Sequence, residues 1–282
     1  MLSFLFWNLH NKSLLDSVAR IVLQRQVDVL IFVESGIDPA RLLPLLNQPA
    51  PKYFYHPPLF SSACQFFASF DPQHLKPLHD DEHIAIRGLF LPGRVPLLIT
   101  AAHLQSKLEA EAADQRSVSR LFVEQIARKE AAFAKEIARS GGIPGHPSTL
   151  VVGDMNMNPF EEGMIGAEGL HGVMTQKDAN RRSRKCQGVA YPMFYNPMWS
   201  WFGDRDGAPG GTYFKNRSGH QINYFWNVFD QVLLRPALLP FFDQNDLEIL
   251  TSDGQDSLLD RNGRPDATNA SDHLPLFFKL SV

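Results

Sequence analysis

The sequence TLVVGDMNMNPF, from Thr149 to Phe160, begins as a buried strand and ends in polar residues. Its first half is short, apolar and β-branched, which is typical of a core strand. Asp154 and Asn156 follow, and residues two apart in an extended segment point to the same side of the chain. Their side chains can therefore face one small volume. With Gly153 before them and Pro159 after them, the same residues also fit an ordinary turn, so the motif alone leaves a turn and a catalytic site open.

Patterns of strand and helix alternate along the first half of the chain, which favours an α/β (α+β) fold. Two early helices are predicted, one opened by a capping box at Ser13 and Asp16 and one over residues 42–46. A long helix with one apolar stripe is predicted from about Glu109 to Arg139, with Gly141–Gly142 ending it. The predicted strands are SFLFWNL, VDVLIFVES, CQFFASF, IAIRGLFL, VPLLITAAHL, TLVVGDMN, VFDQVLLRP and LPLFFKL.

The composition excludes several classes of protein. A chain of 282 residues with 44% hydrophobic and 20% charged residues is typical of a globular protein, and we expect one domain over residues 1–282. The net charge of −3 gives no overall attraction to nucleic acid, although a local basic patch remains open. Two cysteines exclude a disulfide framework and a cysteine-rich zinc site. No apolar run approaches the roughly 20 residues of a membrane span and no leader precedes the first strand, so we expect a cytoplasmic protein without stable membrane insertion. No feature indicates a protein partner.

The segment from Pro159 to Asn227 is rich in Gly, Pro and aromatic residues and has little periodicity, which is typical of a functional loop region. Its basic run ANRRSRKC predicts substrate binding by Arg181, Arg182 and Arg184, to a nucleic-acid backbone or to a phosphorylated head group. A solvated loop is the equally open alternative. The aromatic residues at 199–214 fit base stacking, insertion into a lipid surface, or packing of the segment onto the domain.

Polar residues stand at the ends of six predicted strands. If the last two strands run opposite to the earlier ones, all of these ends share one rim. Each residue alone has an ordinary explanation as a turn residue or a half-buried histidine. Their coincidence favours a site, because apolar strands gain nothing from buried acids. These residues are Asn8, Glu34, His103, Asp154, Asn156, Asp230, Asp272 and His273.

The residue types on this rim also indicate a chemistry. Glu34, Asp154 and Asp272 offer hard oxygen ligands without any cysteine, which favours Mg²⁺ or Mn²⁺ over zinc. Two histidines and a further aspartate fit phosphate oxygens and proton transfer. No serine nucleophile elbow and no phosphate-binding glycine loop is visible. The pattern predicts metal-assisted attack of water on a phosphoester.

The ordered motifs WNLH, VLIFVES, ITAAHL, VVGDMNMNP, FDQVLL and SDHLPL resemble those of the endonuclease/exonuclease/phosphatase superfamily over nearly the whole chain. That group includes deoxyribonuclease I-like nucleases, abasic-site endonucleases, inositol polyphosphate phosphatases and bacterial sphingomyelinases. The resemblance implies a single domain with a four-layer α-β-β-α sandwich, two packed mixed sheets flanked by helices. It implies a metal-dependent nuclease or phosphodiesterase. A phosphomonoesterase or lipid phosphodiesterase, and a binding module that has lost catalysis, remain as alternatives.

The resemblance also implies roles for the rim residues. Glu34 corresponds to the principal metal-binding glutamate, with Asn8 beside the metal and the phosphate. Asp272 corresponds to a second metal-side carboxylate. Asp154 corresponds to the acid that positions or deprotonates the attacking water, and Asn156 to the amide that fixes it.

The histidines complete this implied site. His273 corresponds to the histidine that contacts the phosphate, held by Asp230, and His103 resembles the second histidine of the deoxyribonuclease-like branch. In that branch a glutamate supports the second histidine, whereas here the corresponding stretch, LFSSACQFF, contains no acid. For the tyrosine that often helps hold the phosphate, Tyr53 and Tyr55 are the nearby candidates.

Overall fold

Two β-sheets packed face to face organise the chain, with helices on their outer faces. The structure is a computed structural model that describes residues 1–106, 112–139, 141–142, 145–203, 209–219 and 221–282. The strands are β1 Leu2–Lys12, β2 Val29–Ser35, β3 Phe54–His56, β4 Cys64–Ala68, β5 Leu75–Asp80, β6 Ile84–Leu89, β7 Leu97–His103, β8 Thr149–Asp154, β9 Gly172–Val173, β10 Ser183–Cys186, β11 Val189–Pro192, β12 Phe194–Tyr195, β13 Tyr213–Lys215, β14 Phe225–Asn227, β15 Asp230–Leu234, β16 Leu247–Ile249 and β17 Leu276–Leu280. The α-helices are α1 Leu15–Arg25, α2 Pro39–Leu46, α3 Ala112–Arg139, α4 Glu162–Ile165 and α5 Gln176–Ala179, and 3₁₀ turns cover Pro72–His74, Pro197–Trp201, Pro236–Phe241 and Gln244–Asp246.

The first sheet has six strands in the order β16-β17-β1-β2-β4-β3. β1 pairs in parallel with β2 and antiparallel with β17, so the end of β1, the end of β2 and the start of β17 lie at one edge. The second sheet has seven strands in the order β5-β6-β7-β8-β15-β12-β9. There β8 pairs in parallel with β7 and antiparallel with β15. Both predicted late strands therefore run opposite to the earlier ones, as the shared rim requires.

The side chains of β8 show how the layers pack. Leu150 and Val152 belong to the large apolar cluster that also contains the first sheet and the buried face of α1. Val151, on the other face of the strand, belongs with Phe122 and Ile126 of α3. Alternation along one strand thus packs one face on the other sheet and one face on a helix. The four-layer α/β sandwich with two mixed sheets is confirmed.

Local differences from the predicted elements have identifiable causes. The predicted capping box is wrong: α1 starts after Leu14, which adopts a left-handed conformation, and no side chain caps the helix. No strand is predicted between CQFFASF and IAIRGLFL, whereas Leu75–Asp80 forms β5, an edge strand whose register shifts between Pro77 and His79. Edge strands tolerate proline and polar residues, which hides them from a hydrophobic pattern.

The long predicted helix is confirmed over Ala112–Arg139, and the residues predicted before it, 109–111, lie outside the described part of the chain. Gly141 follows it in a left-handed conformation with φ of 80°, as expected for a helix stop. Among the described residues, no helix is long and apolar enough to cross a membrane.

At Gly153, the backbones of β7 and β8 lie close together. Gly153 pairs with Ala102, and a Cβ atom at position 153 would overlap the backbone carbonyl oxygen of Ala102. Glycine is therefore required by backbone packing one residue before Asp154, and not only by a turn.

We predict that Gly153→Ala lowers the free energy of unfolding by about 1–3 kcal/mol, because the methyl group must push β8 away from β7. Gly145→Ala is the matched control, since a Cβ atom at position 145 would have no neighbour within 4 Å and the φ of this residue is not positive. Denaturant unfolding of the three proteins measures the effect. Equal unfolding midpoints for the two variants would contradict the close-packing explanation.

Candidate active site

Three polar side chains stand next to one another across the second sheet. His103 at the end of β7 is in register with Asp154 at the end of β8, and Asp154 is in register with Asp230 at the start of β15. Asp154 and Asp230 are almost fully buried. The strand pairing alone therefore brings three of the predicted catalytic residues together.

The first sheet supplies Asn8 and Glu34 to the same place. The amide nitrogen of Asn8 donates hydrogen bonds to Oε1 of Glu34 at 3.1 Å and to Oδ2 of Asp154 at 3.0 Å. Its amide oxygen accepts from the backbone N–H of His10 at 3.0 Å. In this arrangement Asn8 orients the two carboxylates, one from each sheet, so that their oxygens share one volume.

Asp154 is held by the turn that follows it. Its Oδ1 accepts the backbone N–H of Asn156 at 2.9 Å, and the side-chain amide of Asn156 donates to the carbonyl of Leu104 at 2.8 Å. Asn156 has a φ of 49°, in the left-handed region. The turn is therefore present, and it fixes the carboxylate of Asp154 that faces Asn8, so the turn is compatible with the predicted site.

His273 and Asp230 form a buried pair, as the resemblance implied. Nδ1 of His273 lies 2.8 Å from Oδ2 of Asp230, and its Nε2 lies 3.8 Å from Oδ2 of Asp154. The indole N–H of Trp7 donates to the carbonyl of His273 at 2.8 Å and fixes its backbone. Burial opposes a charge on His273, but the carboxylates of Asp230 and Asp154 outweigh it and raise the pKa of His273 to about 10.

The partner that the sequence could not supply for His103 is Glu34. Nε2 of His103 lies 3.1 Å from Oε1 of Glu34. This hydrogen bond is the main reason that the pKa of Glu34 falls to about 2, against the opposing effect of burial. Burial disfavours charge on His103, but Glu34 and Asp154 raise its pKa. The carboxylate is thus kept ionised, the form that a cation requires.

Asp272 approaches the site from the loop that precedes β17 and contacts His10, which the sequence analysis missed. Nδ1 of His10 lies 3.2 Å from Oδ1 of Asp272 and 4.0 Å from Oε2 of Glu34. His10 is two residues after Asn8, so the spacing argument that joins Asp154 to Asn156 would have indicated it.

The donor set fits a hard divalent cation. Ligand atoms of Glu34, His103 and Asp154 lie within 4.8 Å of one another, and so do those of Asp154, Asp230 and His273. Asp272 belongs to neither group, and its buried Oδ1 faces Nδ1 of His10 at 3.2 Å. Oxygen ligands predominate and no cysteine takes part, which is the chemistry of Mg²⁺ or Mn²⁺ sites.

A cleft of about 580 Å³, which we call the site cleft, is lined by Glu34, His103, Asp154, Asp272 and His273. The tyrosine at this cleft is Tyr213, whose ring lies 4.6 Å from that of His273. The candidates Tyr53 and Tyr55 are elsewhere, because Tyr53 donates to the carbonyl of Val27 in the core and Tyr55 packs on Phe67. The sequence could not single out Tyr213, because its position depends on a β-bridge with His273.

The structure does not bring Arg181, Arg182 and Arg184 to the site cleft. They lie at and just before the β10–β11 hairpin, which continues into β12. β12 pairs with β15 at Leu234, four residues from Asp230 and so about 13 Å further along the strand. Basic residues at that end of the sheet do not line the site cleft. A contact with a distant part of a long substrate stays a prediction.

Solved structures with the same fold extend over the full chain. TDP2 from D. rerio complexed with single strand DNA product is 17% identical with a TM-score of 0.56, and 100% of this chain and 99% of that chain are covered. An endonuclease/exonuclease/phosphatase family protein from Leptotrichia buccalis is 11% identical with a TM-score of 0.57, with 100% of both chains covered. The human Nocturnin catalytic domain with bound sulfate anion is 15% identical with a TM-score of 0.52, covering 99% of this chain and 94% of that chain. At these identities the likeness shows the fold.

Among curated proteins, no sequence matches this chain significantly. The sequence profile of the Endonuclease/Exonuclease/phosphatase family matches residues 5–273, which include every residue of the site. This match spans nearly the whole chain and agrees with the fold and with the meeting of the six strand ends. The chain belongs to the endonuclease/exonuclease/phosphatase family.

Proposed function

We propose that this chain is a divalent-metal-dependent phosphodiesterase of the nuclease type, which hydrolyses its substrate by metal-assisted attack of water. The observation that carries the proposal is the joining of Glu34 and Asp154 by the Asn8 amide, beside the buried pair of Asp230 and His273. Carboxylates that can hold a cation and an imidazole that can bind a phosphate oxygen then face one cleft. Because both sheets supply these residues, we propose that residues 1–282 act as one catalytic domain.

We propose Mg²⁺ or Mn²⁺ as the cofactor, held by Glu34 and Asp272 with Asn8 beside it. Such a cation polarises a phosphate oxygen and neutralises part of its charge. The low pKa of Glu34 supports this assignment, because this carboxylate remains ionised across the physiological range of pH.

Asp154 is the residue that we assign to the attacking water. Both of its oxygens already accept one hydrogen bond, from Asn8 and from the backbone of Asn156, which fixes the plane of the carboxylate. Burial is the main cause that raises the pKa of Asp154, which makes it a better proton acceptor than an exposed aspartate. We assign Asn156 to the same water, since its turn sets the position of Asp154.

His273 is the residue that we assign to the phosphate. Asp230 occupies Nδ1, so the ring orientation is fixed and Nε2 faces the side of Asp154. A charged ring can donate from Nε2 to a phosphate oxygen, where negative charge grows as water attacks. We assign His103 to the same phosphate, and its contact with Glu34 beside Asp154 supports this assignment.

We predict that Glu34→Gln abolishes metal-dependent hydrolysis while the protein stays folded, because a neutral amide of the same shape lacks the charge that a hard cation needs. The assay compares Mg²⁺ with a chelator on bis(p-nitrophenyl) phosphate, plasmid DNA, single-stranded DNA, RNA, inositol phosphates and phospholipids. Glu124→Gln, an isosteric change at an exposed position of α3, is the control. Hydrolysis of inositol phosphates or phospholipids, but of no nucleic acid, would favour the alternative substrates. Wild-type rates for Glu34→Gln at low Mg²⁺ would refute the metal assignment.

We predict that His273 titrates near pH 10 in the metal-free protein and that Asp230→Asn lowers this pKa, because the nearest carboxylate is removed. A raised folded-state pKa stabilises the fold below the unfolded value of about 6.5, and this stabilisation is lost as pH rises through about 10. NMR of the imidazole protons, together with unfolding at several pH values, measures both effects. An unchanged pKa in Asp230→Asn would mean that the pair does not set the charge of the ring.

We predict that His273→Ala removes most of the rate, while Asp230→Asn costs less, on the order of 10²-fold, because the ring remains but is loosely held. The double variant should be no slower than His273→Ala, since residues that act as a unit are not additive. Single-turnover cleavage of bis(p-nitrophenyl) phosphate by the four proteins at saturating Mg²⁺ provides the measurement. Losses that multiply would show that the two residues act independently.

A further inference from the structure

The hairpin of β13 and β14 borders the site cleft and is fixed to the catalytic residues. Tyr213 forms a β-bridge with His273, and the carbonyl of Thr212 accepts the backbone N–H of Leu274 at 2.8 Å. The hydroxyl of Thr212 accepts the N–H of Asp230 at 3.1 Å. Hydrogen bonds at Thr212, at the base of this hairpin, therefore reach Asp230 and the residue after His273, and they set the position of the hairpin relative to the His273–Asp230 pair.

A second cavity of about 400 Å³ lies beside the site cleft on this hairpin. The two cavities share a wall formed by Tyr213, Lys215, Arg217 and Phe229. Beyond this wall, the second cavity is lined by Tyr224 and by amide side chains such as Asn223 and Gln221. A molecule whose phosphate reaches His273 can thus extend over Tyr213 into the second cavity. We call this cavity the side pocket.

The wall carries positive charge. Lys215 and Arg217 are the lysine and the arginine that line the site cleft among the described residues, and neither forms a salt bridge with another described residue. The other charged groups of the cleft include the carboxylates of Glu34, Asp154 and Asp272. Two cations at the outer wall fit a second anionic group of the substrate, next to the phosphate that is attacked.

The side pocket offers a flat aromatic face next to amides. The Tyr224 side chain is 54% exposed, and its ring is held by an edge contact with Phe160 at 5.3 Å. An exposed ring that is already held in place provides a stacking surface for a base at little further cost in conformational entropy. Asn223 and Gln221 supply donors and acceptors of the kind that bind base edges. A lipid surface would require none of these amides.

We propose that this hairpin is the substrate-recognition arm, which binds a nucleotide adjacent to the scissile phosphate. Lys215 and Arg217 bind the neighbouring phosphate, and the side pocket stacks the base on Tyr224. The proposal rests on the proposed function and adds the class of substrate, a phosphodiester with an unstacked nucleoside and a second phosphate. A single-stranded nucleic acid and a dinucleotide both contain this unit.

The test measures binding and turnover separately. Binding of a fluorescein-labelled single-stranded oligoadenylate is measured in chelator, where no hydrolysis is expected, and kcat/KM is measured with Mg²⁺ on the same oligonucleotide and on bis(p-nitrophenyl) phosphate. The variants are Lys215→Ala with Arg217→Ala, and Tyr224→Ala with Tyr224→Trp as the conservative partner. The control is the double variant Lys135→Ala with Arg139→Ala, which also removes one lysine and one arginine. These two residues are in the last turns of α3, which precede the start of β8, whereas the candidate site lies at the end of β8.

We expect Tyr224→Ala to weaken oligonucleotide binding about 10-fold and Tyr224→Trp to restore it, because stacking depends on the aromatic face. Lys215→Ala with Arg217→Ala should reduce the steepness of the slope of log affinity against log salt concentration by about 1.4. Each lost contact to a phosphate of a single strand contributes roughly 0.7 to this slope. The loss of kcat/KM in this double variant should be at least about 10-fold larger on the oligonucleotide than on the chromogenic ester, which has neither base nor second phosphate. The control variant should change neither quantity.

The outcomes separate this inference from the proposed function. Arm-dependent binding without any hydrolysis would reject the proposed function and keep the arm. Hydrolysis with unchanged binding and salt slope in the arm variants would overturn the arm and keep the proposed function. Arm-dependent binding to anionic phospholipid vesicles, with none to the oligonucleotide, would also overturn it. Competition by an adenine dinucleotide as strong as by the oligonucleotide identifies the dinucleotide as the complete unit, and weaker competition identifies the polymer.

Discussion

Two hydrogen bonds from the side-chain amide of Asn8 hold together carboxylates that come from different sheets. Without a shared donor, the negative charges of Glu34 and Asp154 would repel each other in a partly buried space, and each would lose hydration without compensation. The amide nitrogen of Asn8 donates one hydrogen bond to each carboxylate, and the amide oxygen accepts a hydrogen bond from the backbone N–H of His10. These two hydrogen bonds can form together only when the two sheets pack in one relative position, so the contacts of Asn8 depend on that packing.

Much of this arrangement follows from sequence, because strand direction and strand ends are local properties. A run such as TLVVGD predicts where β8 ends. The antiparallel pairing of β8 with β15 then places Asp230 beside Asp154. The family resemblance supplied the four layers with two mixed sheets, which the apolar patterns do not contain. The short strands β3, β5 and β16 were missed, since three to six residues at sheet edges give too little pattern to distinguish from a turn.

The residues on the outer wall of the site cleft were the hardest to predict. The sequence drew attention to three clustered arginines, because charge density along the chain is what a linear pattern shows. Lys215 and Arg217 stand apart from that basic run, among aromatic residues and glycines. The pairing of β13 with β14 carries them to the site cleft, and a linear pattern does not show this pairing. Tyr213 belongs to the same group, since it meets His273 through a bridge between residues 60 positions apart. Residues at strand ends could be found by position, whereas residues on the arm required the fold.

The pairing of β1 with β17 also has a consequence for how the protein is made. Leu2 is in register with Leu280, so β1, which pairs with β2 early, receives its second partner β17 only after the other strands of the two sheets have been synthesised. Asp272 and His273 stand immediately before β17, and the carbonyl that Trp7 holds is that of His273. A nascent chain on the ribosome accordingly lacks Asp272 and His273 while the second sheet can already pair. The buried contact between Asp230 and His273 can form only after residues 272–280 have left the exit tunnel.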